Sequence, residues 1–199
     1  MCKFDESRTK QNLARVFAGE CQDGAKYQFL AKTAEQEGYA YLKMIFKTHA
    51  KNEMAHAKKF YGLINDNCSC KQKNIEICGG YSFGDGSLLE LIKDTMGVEE
   101  SQSDNVYPAF AEVAEQEGYP DIAKSLRFAG TVENCHKLML QQLYDKLKNN
   151  SLYSSPTPIK WKCSNCGFEH TDKKAWDICP SCDMPQGYVE VHIDMQSGN

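Results

Sequence analysis

The feature that most constrains the fold is an internal repeat. Residues 34–39, Ala-Glu-Gln-Glu-Gly-Tyr, recur letter for letter at residues 114–119. The same offset of 80 residues relates three further pairs of side chains: Tyr27 and Tyr107, Glu53 and Glu133, and His56 and His136. Two copies are too few for a solenoid, so the repeat predicts a helical hairpin that is duplicated and closed into a bundle.

Apolar spacing indicates four helices in the first three quarters of the chain. They are expected at Thr9 to Glu37, Tyr39 to Asn65, Ser87 to Glu117, and Tyr119 to about Lys148. Pro108 should kink or restart the third helix. Residues 65–85 provide a long crossover between the halves. Two short connections and one long crossover are typical of a ferritin-like four-helix bundle, so the fold class is mainly α, with this domain at residues 1–149.

The end of the chain predicts a second, small domain. Residues 150–158 form a linker, and residues 159–199 carry two Cys-x-x-Cys turns, Cys163 to Cys166 and Cys179 to Cys182, with 12 residues between them. Four thiolates at this spacing can surround one metal ion. So short a segment needs a metal to fold. The spacing leaves two alternatives open, a structural zinc ribbon and a redox-active iron site.

The repeated Glu and His residues predict a site for two metal ions. Glu53 and His56, like Glu133 and His136, are three residues apart and therefore share one helix face. Bundles with a di-iron carboxylate site use two such Glu-x-x-His motifs and one Glu from each of the other helices. Two solvated helix faces are the alternative interpretation. Several carboxylates buried without cations would be strongly destabilising, and oxygen and imidazole ligands suit iron or manganese.

The other two helices should supply the remaining carboxylates. Glu20 lies seven residues before Tyr27 on the first helix. By the repeat, its counterpart on the third helix is Glu100, seven residues before Tyr107, but the adjacent Glu99 is also a candidate.

Composition limits the partners and the compartment. The net charge of the 199-residue chain is −4, which does not favour a nucleic-acid partner. No stretch approaches the ~20 apolar residues that a membrane span needs. The polar start has no apolar core of a secretory signal. Ten cysteines in such a chain predict a reducing, cytoplasmic location, with a disulfide framework as the competing interpretation.

The motifs together resemble rubrerythrin over nearly the whole chain. The residues that carry the resemblance are Gly19-Glu20, Tyr27, Glu37-Gly38-Tyr39, Glu53-x-x-His56, Tyr107-Pro108, Glu117-Gly118-Tyr119, Glu133-x-x-His136, Trp161-Lys-Cys-x-x-Cys-Gly and Cys179-Pro-x-Cys182. The resemblance implies a ferritin-like bundle with an oxo- and carboxylate-bridged di-iron site. It also implies a rubredoxin-like domain with an FeS4 site, and peroxide reduction in oxidative-stress defence.

One position departs from the family pattern. Rubrerythrins carry Glu-x-x-Glu before the Tyr-Pro of the third helix, and here these positions are Glu99 and Gln102. In the family the second Glu exchanges with the His of the first motif, here His56, when the iron changes oxidation state. The resemblance therefore favours Glu99 as the third-helix ligand, whereas the repeat favours Glu100. Gln102 is a poorer ligand for ferric iron.

The resulting hypothesis is a peroxidase that reduces hydrogen peroxide to water. Glu53 and Glu133 would bridge the irons, and Tyr27 and Tyr107 would hydrogen-bond the ligand carboxylates; core tyrosines are the alternative for this pair. The FeS4 iron would return electrons from a donor such as a rubredoxin or an NAD(P)H-dependent reductase, within a head-to-tail homodimer or a larger homo-oligomer. The competing function is a ferroxidase or iron-handling protein with a structural zinc ribbon.

Overall fold

The computed structural model describes residues 3–69 and 74–194. Five α-helices and two β-strands lie in these ranges. They are α1 Arg8–Gln36, α2 Ala40–Asn67, α3 Leu88–Ser101, α4 Tyr107–Gln116, α5 Pro120–Lys148, β1 Ser154–Lys162 and β2 Glu169–Lys174. A π-helical turn, Gln102–Val106, joins α3 to α4, so these two form the third long helix of a four-helix bundle. The predicted mainly α, ferritin-like fold is thereby confirmed.

The apolar core of the bundle is divided into two clusters with a polar layer between them. On α1, Leu13 and Val16 belong to one cluster and Tyr27 and Leu30 to the other. Between them lies Glu20, which is only 1% exposed. On α2 and α5, too, a buried Glu lies between residues of the two clusters. The carboxylates of the site are therefore enclosed by packed apolar layers above and below.

Each repeated Glu-Gly-Tyr segment ends a helix in its own half of the bundle. Its Glu side chain caps the start of a helix in the other half. Gly38 and Gly118 adopt φ values of +85° and +86°, a left-handed conformation that favours glycine at a helix end. The Glu37 carboxylate accepts a hydrogen bond from the backbone N–H of Leu88, at the start of α3. The Glu117 carboxylate accepts one from the N–H of Thr9, at the start of α1. Each half thus satisfies a free N–H group of the other.

The third helix is interrupted as expected near Pro108, but by a π turn rather than a break. Pro108 has no N–H to donate to the preceding turn, which makes the regular α hydrogen-bond pattern impossible there. The five-residue turn adds one residue relative to an α-helix. Residues before the turn are therefore displaced by one position relative to the repeat.

The C-terminal domain is built on the antiparallel pair β1–β2, with Trp161, Ala175 and Val189 at its centre. The strand β1 begins at Ser154, so part of the segment predicted as a linker, 150–158, is in a strand. Its register is irregular between Ser154 and Ile159, the stretch that contains two prolines.

This domain packs on the end of its own bundle. Leu152 and Val191 lie in the same apolar cluster as Leu42 of α2. Gly187 lies against the backbone at Gly38, where a Cβ on Gly187 would come within 1.8 Å of the Gly38 carbonyl oxygen.

Among the residues described, no helix combines the length and apolarity that crossing a membrane would require.

Candidate metal centres

Six acidic and histidine side chains from all four long helices converge in the polar layer. Glu20 comes from α1, Glu53 and His56 from α2, Glu99 from α3, and Glu133 and His136 from α5. Each Glu is 1% exposed and His136 is 3% exposed. The His56 side chain is 20% exposed and is the one member of the set that reaches the surface.

The six side chains form two overlapping groups. Glu20, Glu53, His56 and Glu133 offer ligand atoms that lie within 4.8 Å of one another, and so do Glu53, Glu99, Glu133 and His136. Glu53 and Glu133 belong to both groups. Two ions in these positions would share the two carboxylates as bridges, with one further Glu and one His for each ion.

The nitrogen and oxygen atoms of the cluster are placed as ligands of metal ions rather than as hydrogen-bond partners of one another. The Nδ1 atom of His136 lies 2.9 Å from Glu53 Oε1 and 3.1 Å from Glu133 Oε2. Even so, His136 Nδ1 and both oxygens of Glu133 make no hydrogen bond of acceptable geometry among the described residues. Buried polar atoms without partners are costly. Their convergence is what a pair of bound cations would satisfy.

In the metal-free protein, the ionisable side chains of this layer have strongly shifted pKa values. Burial raises the pKa of Glu20 to about 8, although His56 acts in the opposite direction. Burial alone would lower the pKa of His136, but Glu133 and Glu53 raise it to about 10. For His56, the neighbouring carboxylates likewise outweigh burial and raise the pKa to about 12. In the metal-free protein the two imidazoles are therefore protonated, and their positive charges partly balance the buried carboxylates.

Two tyrosines hold the outer carboxylates, each reaching across to the other half of the repeat. The Tyr27 hydroxyl donates to Glu99 Oε1 at 2.6 Å, and the Tyr107 hydroxyl donates to Glu20 Oε1. Burial and the nearby carboxylates raise both tyrosine pKa values well above the ordinary range, so both hydroxyls remain donors. The hydrogen bonds fix the orientation of the ligand carboxylates.

The structure brings Glu99 into the cluster and leaves the Glu100 side chain exposed. The π turn explains why the repeat predicted Glu100, one residue after the Glu99 that lies in the cluster. Seven residues separate Glu20 from Tyr27, but eight separate Glu99 from Tyr107, because the π turn between them holds one extra residue. Strict repetition of the spacing therefore fails between α3 and α4.

Two neighbours of the cluster were not among the predicted site residues. Asp23 is 3% exposed and accepts a hydrogen bond of 2.7 Å from Gln102 Nε2. The His49 ring lies 4.7 Å from the His136 ring in an edge-to-face arrangement. The sequence signal for both is helical spacing, since Asp23 follows Glu20 by three residues and His49 precedes Glu53 by four.

The four predicted cysteines come together in the C-terminal domain. The Sγ atoms of Cys163 and Cys182 are 3.8 Å apart, as are those of Cys166 and Cys179. A disulfide would require about 2.05 Å. Metal–sulfur bonds of about 2.3 Å in a tetrahedron give an edge close to the observed separation. The four thiols therefore have the geometry of a metal site.

The fold and the two sites define a ferritin-like metalloprotein with a rubredoxin-like appendage. Residues 11–144 match the family model for rubrerythrin, and residues 161–190 match the model for the rubredoxin-like domain of rubrerythrin. The chain belongs to the rubrerythrin family. With the clusters described above, this membership assigns a di-iron site to the bundle and a rubredoxin-type iron site to the four cysteines.

Relatives resemble the chain over almost its whole length. Rubrerythrin from Clostridium perfringens is 34% identical over 185 residues, which cover 93% of this chain and 94% of that protein. Rubrerythrin from Porphyromonas gingivalis is 35% identical over 185 residues, or 92% of this chain and 90% of that protein. Among solved structures, nigerythrin in a partially reduced state matches with a TM-score of 0.61 at 22% identity, covering 94% of this chain and 90% of that one.

Proposed function

We propose that this protein reduces hydrogen peroxide to water with electrons that enter through the four-cysteine iron site. The observation that carries the proposal is the pair of overlapping ligand groups that share Glu53 and Glu133. Two adjacent metals suit a two-electron reduction, in which peroxide, two electrons and two protons give two molecules of water. When bound, the iron pair supplies those electrons and acts as a Lewis acid.

The protein's own residues would hold that pair and control access to it. Tyr27 and Tyr107 orient the Glu99 and Glu20 carboxylates through their hydroxyls. The apolar clusters on both sides exclude bulk water from the layer. His56 lines a surface cavity together with Lys59 and Lys124, and this cavity is the entry that we propose for a small, uncharged oxidant.

We also propose that electrons pass between chains. The C-terminal domain contacts its own bundle near Gly38. Glu53 lies thirteen residues further along α2 than Ala40, about 20 Å at the rise of an α-helix. A partner chain in a head-to-tail homodimer would bring a cysteine site closer to this cluster, with a rubredoxin or an NAD(P)H-dependent reductase as the external donor.

Rapid mixing of the fully reduced protein with peroxide or with oxygen tests the reaction. We expect peroxide to oxidise the protein much faster, and the Glu133→Ala variant to lose turnover while keeping its FeS4 absorption. The Glu100→Ala variant is the matched control, because its side chain is exposed beside the cluster. Equal or faster oxidation by oxygen would instead favour a ferroxidase, and a colourless four-cysteine site would indicate zinc.

Co-expression of two inactive chains tests the path of the electrons. One chain would carry Glu133→Ala and the other Cys179→Ala, so that neither has both sites. Transfer between chains predicts that the mixed oligomer recovers part of the turnover that each variant lacks alone. No recovery in a mixed oligomer of verified composition would favour transfer within one chain.

A further inference from the structure

Asp23 is a buried carboxylate that neither ligand group uses. It lies one turn after Glu20 on α1, on the same face, and is 3% exposed. Its Oδ1 atom is 3.5 Å from Lys26 Nζ, and its Oδ2 atom accepts the 2.7 Å hydrogen bond from Gln102. A carboxylate so deeply buried is costly unless it is paired and hydrogen-bonded, and Lys26 and Gln102 are the partners that keep Asp23 charged here.

Asp23 and Gln102 occupy equivalent positions in the two halves of the bundle. Asp23 follows Glu20 by three residues, just as Gln102 follows Glu99 by three. These two positions meet where α1 and the third helix face each other, directly beside the outer ligands of the two groups. One position holds an acid and the other an amide. A second carboxylate at position 102 would repel Asp23 at this distance, whereas the amide donates to it.

The charge of the ligand set indicates how a further acid beside it would affect the oxidation state of the metal pair. The two ligand groups contain four glutamates and two histidines. Four carboxylates balance two ferrous ions, whereas two ferric ions carry two more positive charges, which an oxo bridge or nearby anions must balance. A further negative charge beside the site therefore stabilises the oxidised pair more than the reduced pair. Electrostatic interactions in so buried a layer are weakly screened.

We propose that Asp23 is a fifth acid of the metal centre, one that favours its oxidised form without being a ligand, and that Gln102 is the residue that positions it. Asp23 already interacts with the bridging acids, since Glu53 and Glu133 both add to the effect of burial in raising its pKa. The alternative role is a purely structural ion pair with Lys26. The proposal rests on iron in the cluster and not on the peroxide reaction.

Redox titration of the iron-loaded protein separates the two roles. Asp23→Asn keeps the shape and an acceptor for Gln102 but removes the charge, and we expect the potential of the di-iron pair to rise. Lys26→Gln removes the neighbouring positive charge, and we expect the potential to shift the opposite way. Asp23→Glu retains the negative charge and should stay close to the parent protein. The FeS4 potential serves as an internal reference and should not move in any variant.

Thermal unfolding provides a readout that does not depend on redox chemistry. In the metal-free protein Asp23 adds to the repulsion among the buried carboxylates, so Asp23→Asn should raise the melting temperature or leave it unchanged. The further rise when Fe(II) is added without oxygen should be smaller than in the parent. A structural ion pair predicts a different result: both Asp23→Asn and Lys26→Gln would lower the metal-free melting temperature, and neither would shift the potential. That result would overturn the proposal.

Discussion

Tyr27 donates a hydrogen bond of 2.6 Å to Glu99, from the first half of the repeat to the second. Tyr107 donates in the opposite direction, to Glu20. Each half of the molecule therefore orients a carboxylate that belongs to the other. The metal centre depends on how the halves are docked as well as on the residues that each contributes.

Replacing Tyr27 by Phe should weaken metal binding without abolishing it. The change leaves Glu99 with no donor in a fully buried place, and loss of such an orienting partner typically costs about 10- to 100-fold in metal affinity. Competition between the protein and a chelator for Fe(II) measures the change. Tyr61→Phe is the control, since Tyr61 is 57% exposed. Unaltered affinity in Tyr27→Phe would mean that the hydroxyl only fills the core.

Replacing Glu99 and Glu100 by Ala, one at a time, should give opposite results. Glu99→Ala removes a ligand atom from one of the two groups, so we expect the bundle to retain about one iron instead of two. Glu100→Ala changes an exposed side chain and should retain both. Metal analysis of purified protein, corrected for the FeS4 iron, gives the counts. Loss of iron in the Glu100 variant would contradict the assignment.

The stability of the metal-free protein should fall as pH rises above about 6. The pKa values of His136 and His56 are raised to about 10 and about 12, so their protonated forms stabilise the fold fully below the ordinary value of 6.5. That contribution is lost progressively as pH rises towards the raised values. Glu20, with a pKa of about 8, acts in the same direction.

Melting curves of metal-free and iron-loaded protein between about pH 6 and pH 9 measure this dependence, at roughly 2–4 °C for each kcal/mol in a chain of this size. Bound metal requires deprotonated ligands, so the loaded protein should show no such fall. A metal-free melting temperature that increases over this range would contradict the pKa directions. At the acidic end, stability should also decline as pH falls from about 4.5, because His136 and His56 lower the pKa of Glu53 to about 2 despite its burial.

Replacing Gly187 by Ala should loosen the C-terminal domain from the bundle. A Cβ there would lie 1.8 Å from the carbonyl oxygen of Gly38, so the backbones must separate. We expect faster proteolysis between α5 and β1 and an unchanged FeS4 spectrum, because the cysteine turns lie elsewhere in the domain. Gly62→Ala is the control, since a Cβ there meets nothing within 4 Å. Equal proteolysis of both variants would show that this contact does not hold the domain.

The sequence predicted the parts of the molecule that follow a regular period. The Glu-x-x-His pairs share one face because they lie within uninterrupted α-helices, and the cysteine turns bring their own thiols together. The repeat could not place Glu99, because a π turn breaks its spacing between Glu99 and Tyr107. The contact between Asp23 and Gln102 joins residues 79 positions apart, and the repeat relates these two positions only after the extra residue of the π turn is taken into account.

Each half of the bundle supplies a carboxylate that caps the start of a helix in the other half. Ser87 and Ser7 cap α3 and α1 from within each half, but Glu37 and Glu117 satisfy further N–H groups of these first turns from the opposite half. A chain severed in the crossover would yield two fragments, each holding the acid that the other lacks. Such fragments have a specific reason to recombine with each other, and neither should be stable by itself.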